Sequence, residues 1–96
     1  MTTAPVRTER PATEQQIEPP YALILYNDDH NSMAHVVQSL QRCVPDISHE
    51  GAFEIMMLAH QNGKARVTVA PRPEAARYRD CLESRGLTAT IEPAYD

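Results

Sequence analysis

The chain has 96 residues, enough for one domain and too few for two. Nine Lys and Arg against thirteen Asp and Glu leave a formal net charge of −4, and no basic run marks one face, which excludes a nucleic-acid partner. No apolar stretch is long enough to span a bilayer, the N-terminus lacks the apolar core of a secretory signal, and Cys43 and Cys81 fall in helical patterns where they read as buried free thiols, so a soluble cytoplasmic protein is expected.

Residues 1–20, MTTAPVRTERPATEQQIEPP, hold four prolines, few apolar side chains and no period. They read as a disordered extension, unable to bury enough surface to offset ordering entropy. Residues 21–96 then form the folded domain. YALILYN, residues 21–27, is a short apolar strand bounded by Pro20 and Asp28. A helix follows from about Met33, with Val36, Val37, Leu40, Cys43 and Val44 continuing its apolar stripe. Asn31 or Ser32 caps its start and Pro45 ends it.

Ser48 caps a second helix, HEGAFEIMMLAHQN, in which Phe53, Met56, Met57 and His60 share a face. Gly63 suits the left-handed position after its end. KARVTVA alternates as a strand with Ala65, Val67 and Val69 inward. Pro73 and Glu74 open a third helix, PEAARYRDCLESR, whose apolar side carries Ala75, Tyr78, Cys81 and Leu82. Gly86 stops it. LTATIE is the last strand, with Leu87, Ala89 and Ile91 on one face. The order is β-α-α-β-α-β: an α+β fold with a three-stranded antiparallel sheet and three helices on one face.

The stretch Asn27-Asp28-Asp29 holds more polar groups than a strand-to-helix turn requires. If the elements pack as a layer, these three and His60 rim a hollow lined by methionines. That rim suits a peptide α-ammonium, which offers three donors and is mostly charged near neutrality. The first side chain of the peptide then fills the hollow. Lowering the pH until His60 is protonated should weaken such binding, because the ring loses its acceptor. A turn with a helix cap explains the acids equally well, and His60 also reads as a helix C-terminal histidine favoured by the dipole. His35 and His49 read as solvated surface residues. A metal-dependent hydrolase using Asp28, Asp29 and His60 is the reading from the enzyme class. Asp28, Asp29, His30, His35 and His60 are all possible ligands, but the sequence has no His-x-x-x-His or Cys-x-x-Cys. No nucleophile sits beside an obvious base, and no Gly-rich phosphate loop appears.

NDD after an apolar strand, Met33 five positions beyond Asp28, and MMLAHQNGKA with its His-x-x-Gly-Lys together resemble the ClpS family, the small adaptors of the Clp protease. The resemblance runs from about Tyr21 to Ile91. It implies a non-enzymatic adaptor, without cofactor and acting as a monomer. Such an adaptor grips the free N-terminus of proteins that begin with Leu, Phe, Tyr or Trp (N-degrons) and delivers them to the unfoldase ClpA or ClpC. By motif match, Asn27, Asp28, Asp29 and His60 hold the α-amino group and first peptide bond. Met33, Val36, Met56, Ala59 and Leu87 line the side-chain pocket, with Asn31 at its edge. The extension engages the unfoldase. A peptide- or protein-interaction domain without N-terminal selectivity is the other reading of the same fold.

Several positions depart from the family pattern. Asn31-Ser32 stands where a Thr-Pro pair is common, which loosens the loop. Ala59 replaces the usual Val before the His, which deepens the pocket in favour of bulky aromatics over Leu. The family's docking Glu and Lys fall on Pro73 and Tyr78 without a gap, or on Glu74 and Arg79 after a shift of one.

Overall fold

The computed structural model describes residues 18–94. The extension expected over residues 1–20 therefore lies outside the described residues, except for Glu18, Pro19 and Pro20. The elements run β1 (Tyr21–Tyr26), α1 (Met33–Cys43), α2 (His49–Asn62), β2 (Lys64–Ala70), α3 (Arg72–Ser84) and β3 (Ala89–Pro93). β1 pairs antiparallel with both other strands, giving the order β2-β1-β3. This is the α+β arrangement expected from the sequence.

β1 is central because its apolar run is continuous: Ala22, Leu23, Ile24 and Leu25 are all buried. Leu23 and Leu25 meet the helices in a core shared with Val36, Val37, Leu40, Ala52 and Met56. β2 departs from the strict alternation expected. Leu23 pairs with Thr68 but Ile24 with Arg66, so Val67 is an extra residue, a β-bulge. Beyond it the alternation is reversed. Val69, expected inward, pairs with Ala22 and is 40% exposed.

Each helix has identifiable ends. Ser32 caps α1, its Oγ accepting from His35 N at 3.1 Å. Ser48 caps α2 in the same way through Gly51 N at 3.0 Å. Gly63, at φ 90°, closes α2 in the left-handed conformation that a side chain disfavours. The face proposed for α2 is corrected: its buried stripe is Ala52, Met56 and Ala59, whereas Phe53 is 46% exposed and His60 is exposed. Apolar residues surround much of this helix, so spacing alone admits either stripe.

α3 ends in a Schellman motif. Gly86 N donates to Glu83 O and Leu87 N to Leu82 O, with Gly86 at φ 89°. Leu87 is therefore held in the turn, and β3 begins two residues later than the alternation suggests.

Two further expectations are corrected. Cys43 at the end of α1 and Cys81 on α3 are joined in a disulfide, their Cα atoms 5.5 Å apart, and are not free thiols. The pairing depends on two helices lying side by side, which local periodicity does not reveal. His35 is not a solvated surface residue. It is half-buried, and its Nε2 donates to the Arg85 carbonyl at 2.8 Å, while Arg85 Nε donates to the fully buried Ser39 Oγ at 2.8 Å. These bonds join α1 to the end of α3. Among the described residues, no helix is long and apolar enough to cross a membrane.

Candidate functional site

The loop from Asn27 to Ser32 carries the surplus polar groups, and the structure assigns most of them work within the fold. Asp28 Oδ1 accepts from the backbone N–H of His30 at 2.7 Å and of Asn31 at 3.0 Å. Its Oδ2 accepts from the Asn31 side-chain amide, which also donates to the Gly86 carbonyl at 3.0 Å. Asn31 is thus not the helix cap; Ser32 is. Asn31 instead ties the loop to the turn after α3, replacing the restraint that a proline would have given. At the other end, Asn27 N donates to the Gly63 carbonyl at 2.9 Å. Two left-handed glycines therefore clamp the loop, one at each end. The first also explains the His-x-x-Gly spacing: His60 sits in the last turn of α2, one turn before the glycine that receives Asn27.

Hydrogen bonding holds the Asp28 carboxyl below the usual carboxylate range. The Asn31 side chain is the largest cause; burial opposes it, and the backbone N–H groups of His30 and Asn31 add to the lowering. Asp28 is an anion with most of its acceptor capacity committed. Asn27 and Asp29 are less committed. The Asn27 amide donates to Asp29 Oδ1 at 3.4 Å. Among the described residues, the Asn27 amide oxygen, Asp29 Oδ2 and the His60 ring form no hydrogen bond.

These groups rim a hollow of ≈ 130 Å³. Its apolar wall is Leu25, Val36, Met56 and Ala59, all buried, with the half-exposed Met33 at the mouth. Asn27, Asp28, Asp29, Asn31 and His60 supply the polar rim, joined by Tyr26. Among the described residues, no Lys or Arg lines it. An engineered apolar cavity of about 150 Å³ admits a benzene ring, so the space suits one large side chain.

Leu87, placed in the wall by resemblance, is 4% exposed within the core and does not line the hollow. Leu25 and Tyr26 line it although sequence reasoning did not name them. Their position at the end of β1, next to Asn27, was the available signal. Glu74 and Arg79 lie on α3, away from the hollow, in surface pairs with Arg77 (3.9 Å) and Asp80 (3.0 Å). Among the described residues, no group of three or more His, Cys, Asp and Glu side chains is placed to hold a metal ion.

The model of the family described as ATP-dependent Clp protease adaptor protein ClpS matches residues 16–90. The ClpS adapter of Synechococcus elongatus is 41% identical over 81 residues, covering 84% of this chain and 85% of that protein. The chloroplastic adapter CLPS1 of Chlamydomonas reinhardtii is 38% identical over 94 residues; the match covers 94% of this chain but only 58% of that relative. Among solved structures, Agrobacterium tumefaciens ClpS2 bound to L-phenylalaninamide aligns with a TM-score of 0.72 at 28% identity, over 79% of this chain and 98% of that one.

Proposed function

The chain belongs to the ClpS family of Clp protease adaptors, proteins that are not enzymes, and from that premise we propose that it binds the free N-terminus of proteins beginning with Leu, Phe, Tyr or Trp. The observation that carries this reading is the pairing of an apolar hollow with uncommitted acceptors on its rim. L-phenylalaninamide, held by the Agrobacterium tumefaciens neighbour, combines a free amine, a benzyl side chain and an amide in place of the next peptide bond. The rim and hollow found here suit each part in turn.

In this reading Asn27 Oδ1, Asp29 and the unprotonated nitrogen of His60 accept from the ammonium and first peptide N–H. Asp28 adds negative charge and holds the loop in shape. Val36, Met56 and Ala59 receive the side chain, and Met33 crowds β-branched ones; Leu87 supports this wall from the core. Burying a Leu or Phe contributes about 1.5–3 kcal/mol, and each charge-assisted hydrogen bond about 1.5–3 kcal/mol before ordering costs. Micromolar affinity requires about 8 kcal/mol net; one buried side chain and three such bonds supply about 6–12 kcal/mol before those costs. The adaptor acts as a monomer. It hands its cargo to ClpA or ClpC, with residues 1–20 and the α3 residues Glu74 and Arg79 engaging the unfoldase.

Titration with peptides that differ only in the first residue tests the reading. Phe, Tyr, Trp and Leu peptides should bind and Ser or Lys peptides should not; indifference to the first residue would refute it. Ala59 gives a finer expectation. It is 2% exposed in the wall, so Ala59→Val adds two methyl groups where a ligand ring would lie. Trp and Phe peptides should lose about 1–2 kcal/mol relative to Leu peptides, measured by competition.

A further inference from the structure

Beyond the hollow, α1 and α2 leave a second, open groove of ≈ 480 Å³ along their seam. Met33 stands at one end and lines both spaces. One turn further along α1 comes Val37, with Phe53 also in the lining, and then Gln41 with His49. Among the described residues, no Asp, Glu, Lys or Arg lines the groove. Phe53 is the chain's only phenylalanine, yet it is 46% exposed, and α2 is anchored to the core by Ala52, Met56 and Ala59 instead. An exposed aromatic that does not hold the fold is surface available to a ligand.

We infer that this groove takes up the second to fourth residues of the chain whose first residue fills the hollow, and that it favours apolar, uncharged side chains there. The inference rests on the reading of the hollow as a site for a free N-terminus. Three observations favour this occupant. Met33 is a wall common to both spaces, so a chain leaving the hollow over Met33 enters the groove directly. Met33 to Gln41 spans roughly 12 Å of helix, which three or four extended residues cover at about 3.3 Å each. An acidic side chain would give up water for a lining that holds no Lys or Arg among the described residues, whereas an apolar one gains contact with Val37 and Phe53. The groove therefore selects on the residues after the first, a discrimination separate from that of the hollow.

The test uses the full chain and peptides that begin with Phe, carry Ser elsewhere, and place a single Leu at position 2, 3, 4 or 8. Leu at one or more of positions 2 to 4 should tighten binding roughly five- to tenfold, and Leu at position 8 should not. Phe53→Ser should abolish that gain while leaving the all-Ser peptide bound as before, which also reports an intact fold. No gain at positions 2 to 4, or a gain that survives Phe53→Ser, overturns the inference and leaves the N-terminus reading standing. A gain equally large at position 8 also overturns it and points to an independent docking surface for another protein. Failure of the all-Ser peptide itself to bind overturns both readings.

Discussion

Asp28→Ala is expected to weaken binding of a Phe-initiated peptide by at least about 2 kcal/mol, roughly 30-fold. The loss has two sources. Removing the carboxylate takes one negative charge from the rim. It also strips acceptors from the His30 and Asn31 N–H groups and from the Asn31 amide, so the loop that aims Asn27 and Asp29 loses its shape. Loss of a comparable side-chain cap costs about 1 kcal/mol of stability. Asp28→Asn separates the two sources. Its oxygen still accepts from both backbone groups, but its NH2 faces the NH2 of Asn31, which cannot reverse without turning an oxygen toward the Gly86 carbonyl. Binding should be intermediate. The acid limb has a defined sign. A carboxyl held below its unfolded pKa contributes stability that is present above the unfolded value and lost as pH falls through the folded one. The loop should therefore survive mild acid and fail only below the ordinary carboxylate range, as amide exchange at His30 and Asn31 will report. Retention of full affinity by Asp28→Ala would show that the acid is a solvated turn residue.

The second large effect concerns stability. Cys43 and Cys81 close a loop of sequence separation 38 between α1 and α3. In the chain-entropy account, opening such a loop in the unfolded state costs about 3–4 kcal/mol. Full reduction should lower the melting temperature by roughly 10–30 °C for a domain of this size. The Cys43→Ser, Cys81→Ser double variant should melt at the lower temperature whether or not a reductant is present. Peptide affinity at 25 °C should change little, because neither cysteine lines the hollow. A double variant that melts with the oxidised parent would mean that the bond adds nothing to the helix packing already in place.

Much of the fold was legible because its signals are local. Ser48 and Gly63 bracket α2 by capping chemistry, and the unbroken apolar run of β1 marks a strand buried on both faces. What escaped depends on partners distant in sequence. The bulge at Val67, which turns Val69 outward, exists only in the register with β1. The disulfide and the contact of His35 with Arg85 exist only once α1 lies against α3.

The site divides in the same way. Asn27-Asp28-Asp29 stands out as excess polarity, but which acid is spent on the loop and which is left over follows from hydrogen bonds that no spacing encodes. Asp28 is spent, whereas Asp29 keeps an unpartnered oxygen. Resemblance alone places Leu87 in the wall. The Schellman turn after α3 draws it into the core instead. Phe53 was grouped with Met56 by helical spacing, yet the buried stripe runs one residue to the side and leaves the aromatic in the open groove.

The acceptors at the lip of this cavity are reserved, in the function proposed here, for a positively charged chain terminus. Calorimetric titration of one Phe-initiated peptide, first with its amine free and then acetylated, tests this most directly. The free amine should bind at micromolar concentration, with a loss on the order of 100-fold or more on acetylation. Equal affinity for the two peptides would contradict it.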